Sequence, residues 1–81
     1  MTVYVVTKML TEEETGGLAY IVDGVFKWPF AAARYVAKQM GVESNKRICA
    51  EIFWHLLKDG TFDTTDFWAG RTYFIDPWKV E

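Results

Sequence analysis

Residues 3–10, VYVVTKML, decide the fold. In an extended chain Val3, Val5 and Met9 point to one side and Tyr4, Val6 and Leu10 to the other, so both faces carry apolar side chains. A strand that is apolar on both sides belongs in the middle of a sheet. The polar residues 11–17, TEEETGG, close on two glycines and turn the chain. Residues 18–26, LAYIVDGVF, bring it back as a second strand. Within that strand Asp23-Gly24 reads as a bulge or kink, because the segments on either side are short for a second hairpin.

The pattern then changes from period two to period 3.6. Pro29 opens a helix over residues 29–40, PFAAARYVAKQM, where its missing N–H costs nothing. Ala33, Val36, Ala37 and Met40 fall at helical spacing and face the sheet, and Gly41 suits a left-handed C-cap. Ser44 is expected to cap a second helix over 45–58. Its main stripe is Cys49, Ile52, Phe53 and Leu56, widened by Ile48, Trp54 and Leu57, and Asp59-Gly60 ends it. Residues 61–70, TFDTTDFWAG, read as irregular, with one helical turn capped by Asp63 or Thr64. Residues 71–81, RTYFIDPWKVE, form a last strand, which Pro77 restricts to a sheet edge or interrupts. The assembly is an α+β domain, ββααβ, spanning residues 1–81. It has a three-stranded antiparallel or mixed sheet in the order 2-1-3 and two helices on one face.

If both helices cover one side, Tyr4, Val6, Tyr20 or their alternates are left on the other. A contiguous apolar patch there marks an interface; the alternative is that the segment from Phe62 to Trp68 folds over it. Fourteen of the 81 residues are aromatic, four of them tryptophan. Trp28 and Trp78 read as core. Trp68, in an irregular stretch beside Gly70, reads either as an exposed ring or as a lid on the core.

Composition bounds the function more than it names it. The length allows one domain, half of the residues are apolar and a quarter charged, and the net charge is −2 with both signs scattered. That balance argues against a strongly basic nucleic-acid binder and is too mild for a mimic of DNA charge. No stretch approaches a membrane span, no basic-then-apolar leader is seen, and Cys49 has no intrachain partner, so a cytoplasmic, reducing setting is expected. Reactive residues are scarce: one Cys, one His and one Ser. Glu51 and His55 stand at i, i+4, but two ligands are too few for zinc. Ser44 and His55 with Asp59, Asp63 or Asp66 can be written as a triad, yet triads are matters of geometry rather than inventory. No phosphate loop or calcium loop is present, and the turn after the second helix is a weak helix-turn-helix signal because Asp63 and Asp66 stand where Arg or Asn would be wanted. No enzyme, metal or cofactor is expected.

The opening VYVVT, the segment YIVDGVF leading into AARYVAKQM, and the closing YFIDPWKVE resemble a group of very small phage and prophage proteins of ββαβ architecture. The resemblance covers residues 3–40 and 73–81. Two departures stand out: Trp28-Pro29 occupies the place of a Ser or Thr cap, and residues 42–72 form an insertion. The resemblance implies an origin and a fold, and no catalytic residue.

Two functional expectations follow. The first is a non-enzymatic protein-binding module, a phage or mobile-element inhibitor of a host defence complex in the manner of anti-CRISPR proteins, acting by occlusion of a host protein or nucleoprotein complex. Its candidate contact residues are the acidic loop Glu12, Glu13 and Glu14, the residues Trp54, Trp68 and Arg71 of types enriched at hot spots, and Asp63 and Asp66. The acidic loop read plainly is a solvated turn. The second expectation is a self-associating module that forms a homodimer through its sheet face or edge.

Overall fold

The computed structural model describes residues 1–10, 16–17, 19–42, 44–64 and 72–80. Strand β1 spans Thr2–Leu10 and strand β2 Ala19–Phe26. Helix α1 spans Pro29–Gln39 and helix α2 Lys46–Asp59. Strand β3 is Phe62–Asp63 and strand β4 is Tyr73–Lys79. The strands form one four-stranded sheet in the order β2-β1-β4-β3, every neighbouring pair antiparallel. This corrects the expected three-stranded order 2-1-3. The short strand β3 replaces the helical turn expected around Asp63 and Thr64 and adds itself outside β4. Thr64, fully buried, fixes it there: its N–H donates to the Tyr73 carbonyl at 3.1 Å and its Oγ1 accepts from the Tyr73 N–H at 3.0 Å.

Strand β4 is therefore not an edge strand over its whole length, yet it contains Pro77. The ladder explains this. The Val80 N–H donates to Met1 O at 2.7 Å, so even-numbered residues of β4 direct their backbone groups toward β1. Odd-numbered residues direct theirs away, as the Tyr73 carbonyl does toward Thr64. Pro77 has the odd parity, and β3 pairs only with Phe74 and Ile75. Its missing N–H therefore faces a free edge, where no ladder bond is lost.

Each helix end has an identifiable stop. Trp28 precedes α1 without a side-chain cap bond, and Pro29 serves the first turn. At the other end the Gly41 N–H reaches Lys38 O at 3.0 Å and the Val42 N–H reaches Ala37 O at 2.9 Å, with Gly41 at φ 76°. These are the two bonds of a Schellman motif. Asn45, not the expected Ser44, caps α2: its side chain accepts from the Ile48 N–H at 3.2 Å. Gly60, at φ 80°, ends that helix with its N–H on Leu56 O.

The core lies between the sheet and the helices. Val6, Tyr73, Ile75 and Phe62 on the sheet meet Ala32, Ala33, Val36 and Ala37 of α1 and Ile52 and Leu56 of α2. Three of those four α1 residues are alanines, so the helix can sit close to the sheet. Helix α2 lies against α1 and β3. The tryptophans expected in the core are not in it: Trp28 is 70% exposed and Trp78 57%. Neither is covered by a second layer among the described residues: Trp28 stands ahead of α1 and Trp78 on the far face of the sheet. The result is a slab, 35 × 34 × 18 Å, with helices on one broad side.

Candidate functional site

On the other broad side no described residue covers the sheet, and the irregularity in β2 decides which residues this bare face shows. Tyr4 pairs with Phe26 and Val6 with Gly24, but Thr7 pairs with Val22, so Asp23 is an extra residue in β2. An unbroken ladder would place Tyr20 on the same face as Tyr4 and Val6. The bulge moves it across, because side chains alternate with period two. Tyr4 and Val6 thus face the helices, whereas Tyr20 joins Val22 and Val25 on the bare face. From β1 that face receives Val3, Val5, Thr7 and Met9, from β4 Phe74, Asp76 and Trp78, and from β3 Asp63.

Tyr20, Val22 and Val25 are 56%, 58% and 56% exposed, as is Trp78 to a similar degree. Val5, at the centre of the face, is buried. The rings of Tyr20 and Phe74 meet across β1 with centroids 5.9 Å apart and planes tilted by 60°. The segment expected to fold over this face falls largely outside the described residues; its first two residues, Phe62 and Asp63, form β3 instead.

The bulge also anchors the helix layer. The Asp23 carboxylate accepts a 2.7 Å hydrogen bond from the Tyr35 hydroxyl on α1 and lies 3.5 Å from Lys8 Nζ on β1. That bond, then burial, then the nearby negative charge push the Tyr35 pKa up to about 12. Tyr35 stays protonated as a hydrogen-bond donor, which is a structural rather than a proton-transfer role at neutral pH. Gly24 beside it has no Cβ because one would stand 2.8 Å from the Phe26 ring, which in turn packs on Tyr35 with centroids 5.1 Å apart.

Of the residues singled out in the sequence, Trp54 is 68% exposed on the outer surface of α2 and Asp63 is exposed on β3. Glu12, Glu13, Glu14, Asp66, Trp68 and Arg71 lie outside the described residues. The pairing of Asp63 with Phe74 puts Asp63 on the bare face at its β3 margin, whereas Trp54 lies on the helix side and is not part of that face. Ser44 and His55 are held apart: the rise along α2 from Lys46 to His55 alone is about 14 Å. His55 is exposed, with Nδ1 3.8 Å from Asp59 Oδ2, and Glu51 pairs with Arg47 at 3.6 Å rather than with His55. Cys49 is half-buried against the core. Among the described residues no three His, Cys, Asp or Glu side chains are placed to hold a metal, and no helix is long and apolar enough to cross a membrane.

Compared with family models, curated proteins and solved structures, the chain matches none.

Proposed function

We propose that this protein is a non-enzymatic binding module that engages a partner protein through the bare face of its sheet. The observation that carries the reading is the cluster of exposed apolar side chains on that face, Tyr20, Val22, Val25 and Trp78, opposite the helix layer. Three strands of about eight residues cover roughly 15 Å by 25 Å, or about 370 Å² in plan. The largest apolar patch on a monomer lies in this size range and is often functional. The Tyr and Trp at its margins are the types that anchor interfaces. The partner proposed is a host defence complex that the protein occludes, and this part rests on the resemblance to small phage and prophage proteins.

The test is affinity purification of tagged protein from its native host, with Val22→Glu run in parallel. Both Val22 and its neighbours are exposed, so the substitution leaves the core alone. One stoichiometric host complex with the parent protein, absent with the variant, is expected. A complex held equally well by Val22→Glu would remove the sheet face from the reading.

A second reading has one observation in its favour. Among the described strand residues the acids and bases on the bare face are Asp63 and Asp76, both on its β3–β4 side, so two copies can stack through the apolar β2 side with little like-charge repulsion. Sedimentation of the parent protein as a monomer at high micromolar concentration would exclude the homodimer.

A further inference from the structure

Arg34 stands on the outward surface of α1 with a depression on each side. One, of about 470 Å³, runs between the helices and is lined by Phe30, Arg34, Lys46, Cys49, Ala50 and Phe53. The other, of about 380 Å³, has Phe30 and Arg34 in common with it and is completed by Ala31, Tyr35 and Lys38. Phe30, Arg34 and Lys38 succeed one another at four-residue intervals and so form a single ridge along α1. A ridge with a groove on either side is the relief one helix offers to another. The inter-helix groove has an apolar floor, where Phe30 and Phe53 meet edge to face with centroids 5.8 Å apart and planes at 84°. Its volume is that of a real binding cleft.

Among the described residues the charge on this relief has one sign, and no carboxylate of theirs lines either groove. Among the described residues Arg34, Lys38 and Lys46 take part in no ion pair, whereas the nearby Arg47 has Glu51. The chain as a whole carries a net charge of −2, so its unpaired cations on this side are a local feature and not an average property.

We infer that the outer face of the helix layer docks an acidic amphipathic helix of a partner protein. Apolar side chains at i, i+3 or i+4, and i+7 of that helix enter the grooves on either side of the Phe30–Arg34 ridge. Asp and Glu residues flanking its apolar stripe meet Arg34, Lys38 and Lys46, which fix its orientation and favour its approach. The site lies on the opposite side of the slab from the bare sheet and is independent of what binds there.

The test uses three fluorescent peptides of about 15 residues, long enough for partial helicity. One has an apolar helical stripe flanked by Glu, the second has Lys in place of Glu, and the third keeps the Glu residues but scrambles the apolar positions. The acidic amphipathic peptide is expected to bind saturably, roughly tenfold or more tighter than either control, and more weakly as salt is raised. Arg34→Glu and Lys46→Glu should each weaken it about tenfold, since each reverses a charge at the contact. Phe30→Ala should weaken it several-fold, and Val22→Glu on the sheet should leave it unchanged. Equal binding of the acidic and basic peptides overturns the inference. So does the absence of saturable binding, or binding that survives Arg34→Glu and Lys46→Glu. Association with phosphatidylglycerol vesicles in the absence of peptide binding overturns it in favour of a lipid surface.

Discussion

Removing the Asp23 carboxylate should loosen the helix layer without touching the hydrophobic core. Asp23→Ala takes away a 2.7 Å acceptor from the Tyr35 hydroxyl and the 3.5 Å partner of Lys8. A hydrogen bond to an ionised group contributes about 1.5–3 kcal/mol when its loss leaves the partner unsatisfied. The Lys8 pair adds less, about 0.5–1 kcal/mol, because both side chains retain some contact with water. Asp23→Ala should therefore cost about 2–4 kcal/mol and Tyr35→Phe about 1.5–3 kcal/mol. The two share one bond, so the double variant should fall short of the sum by about 1–1.5 kcal/mol. For a domain this small each kcal/mol moves Tm by roughly 4–8 °C, so the Asp23→Ala shift is easily measured. Urea unfolding of the four proteins at pH 7 gives the coupling. The alkaline limb gives an independent reading. The folded Tyr35 pKa of about 12 lies above the ordinary 10.0. Its contribution is therefore complete below pH 10 and declines as pH rises from 10 toward 12. Tyr35→Phe should lack that decline. A coupling below about 0.3 kcal/mol, within the additivity expected of independent sites, would refute the reasoning. So would an ultraviolet titration in which all four tyrosines ionise together near their ordinary value.

Three further outcomes are expected. Gly24→Ala places a methyl 2.8 Å from the Phe26 ring, which is held against Tyr35, and should cost about 1 kcal/mol by urea unfolding after the usual gain from replacing glycine in a strand. Gly41→Ala meets no neighbour, yet its φ of 76° is unfavourable for a side chain, so a loss of about 1 kcal/mol is expected from backbone strain alone. Pro77→Ala should leave the unfolding midpoint within about 0.5 kcal/mol, because the restored N–H faces the free edge; a large change in either direction would contradict the ladder parity described above.

Much of this architecture is legible in the chain because its periods are clean. VYVVTKML is apolar on both faces, and β1 does lie between two strands. The alanine-rich helix ends where Gly41 ends it. What escaped the sequence has local physical causes. Phe62–Asp63 is too short to show a strand pattern and is held by Thr64, a residue that reads equally well as a cap. Trp28 and Trp78 look like core residues because hydrophobicity is a property of the side chain, whereas burial depends on whether a second layer exists above it. The bulge at Asp23-Gly24 is visible in the sequence, but its effect on Tyr20 depends on counting alternation through it. The Phe30, Arg34 and Lys38 ridge could have been found by following the four-residue spacing along the outward side of α1.

The bulge in β2 is, in effect, a dislocation in the ladder. Such a defect can glide: if the extra residue became Val22, Asp23 would pair with Thr7 and turn outward onto the bare face. Asp23 resists that step because its side chain is tied to Lys8 on one strand and to Tyr35 on a helix, so the defect is pinned where it is. The surface pattern of β2 is thus held in register by a contact on the opposite side of the sheet. Releasing the pin would let the outward face exchange between two versions of itself.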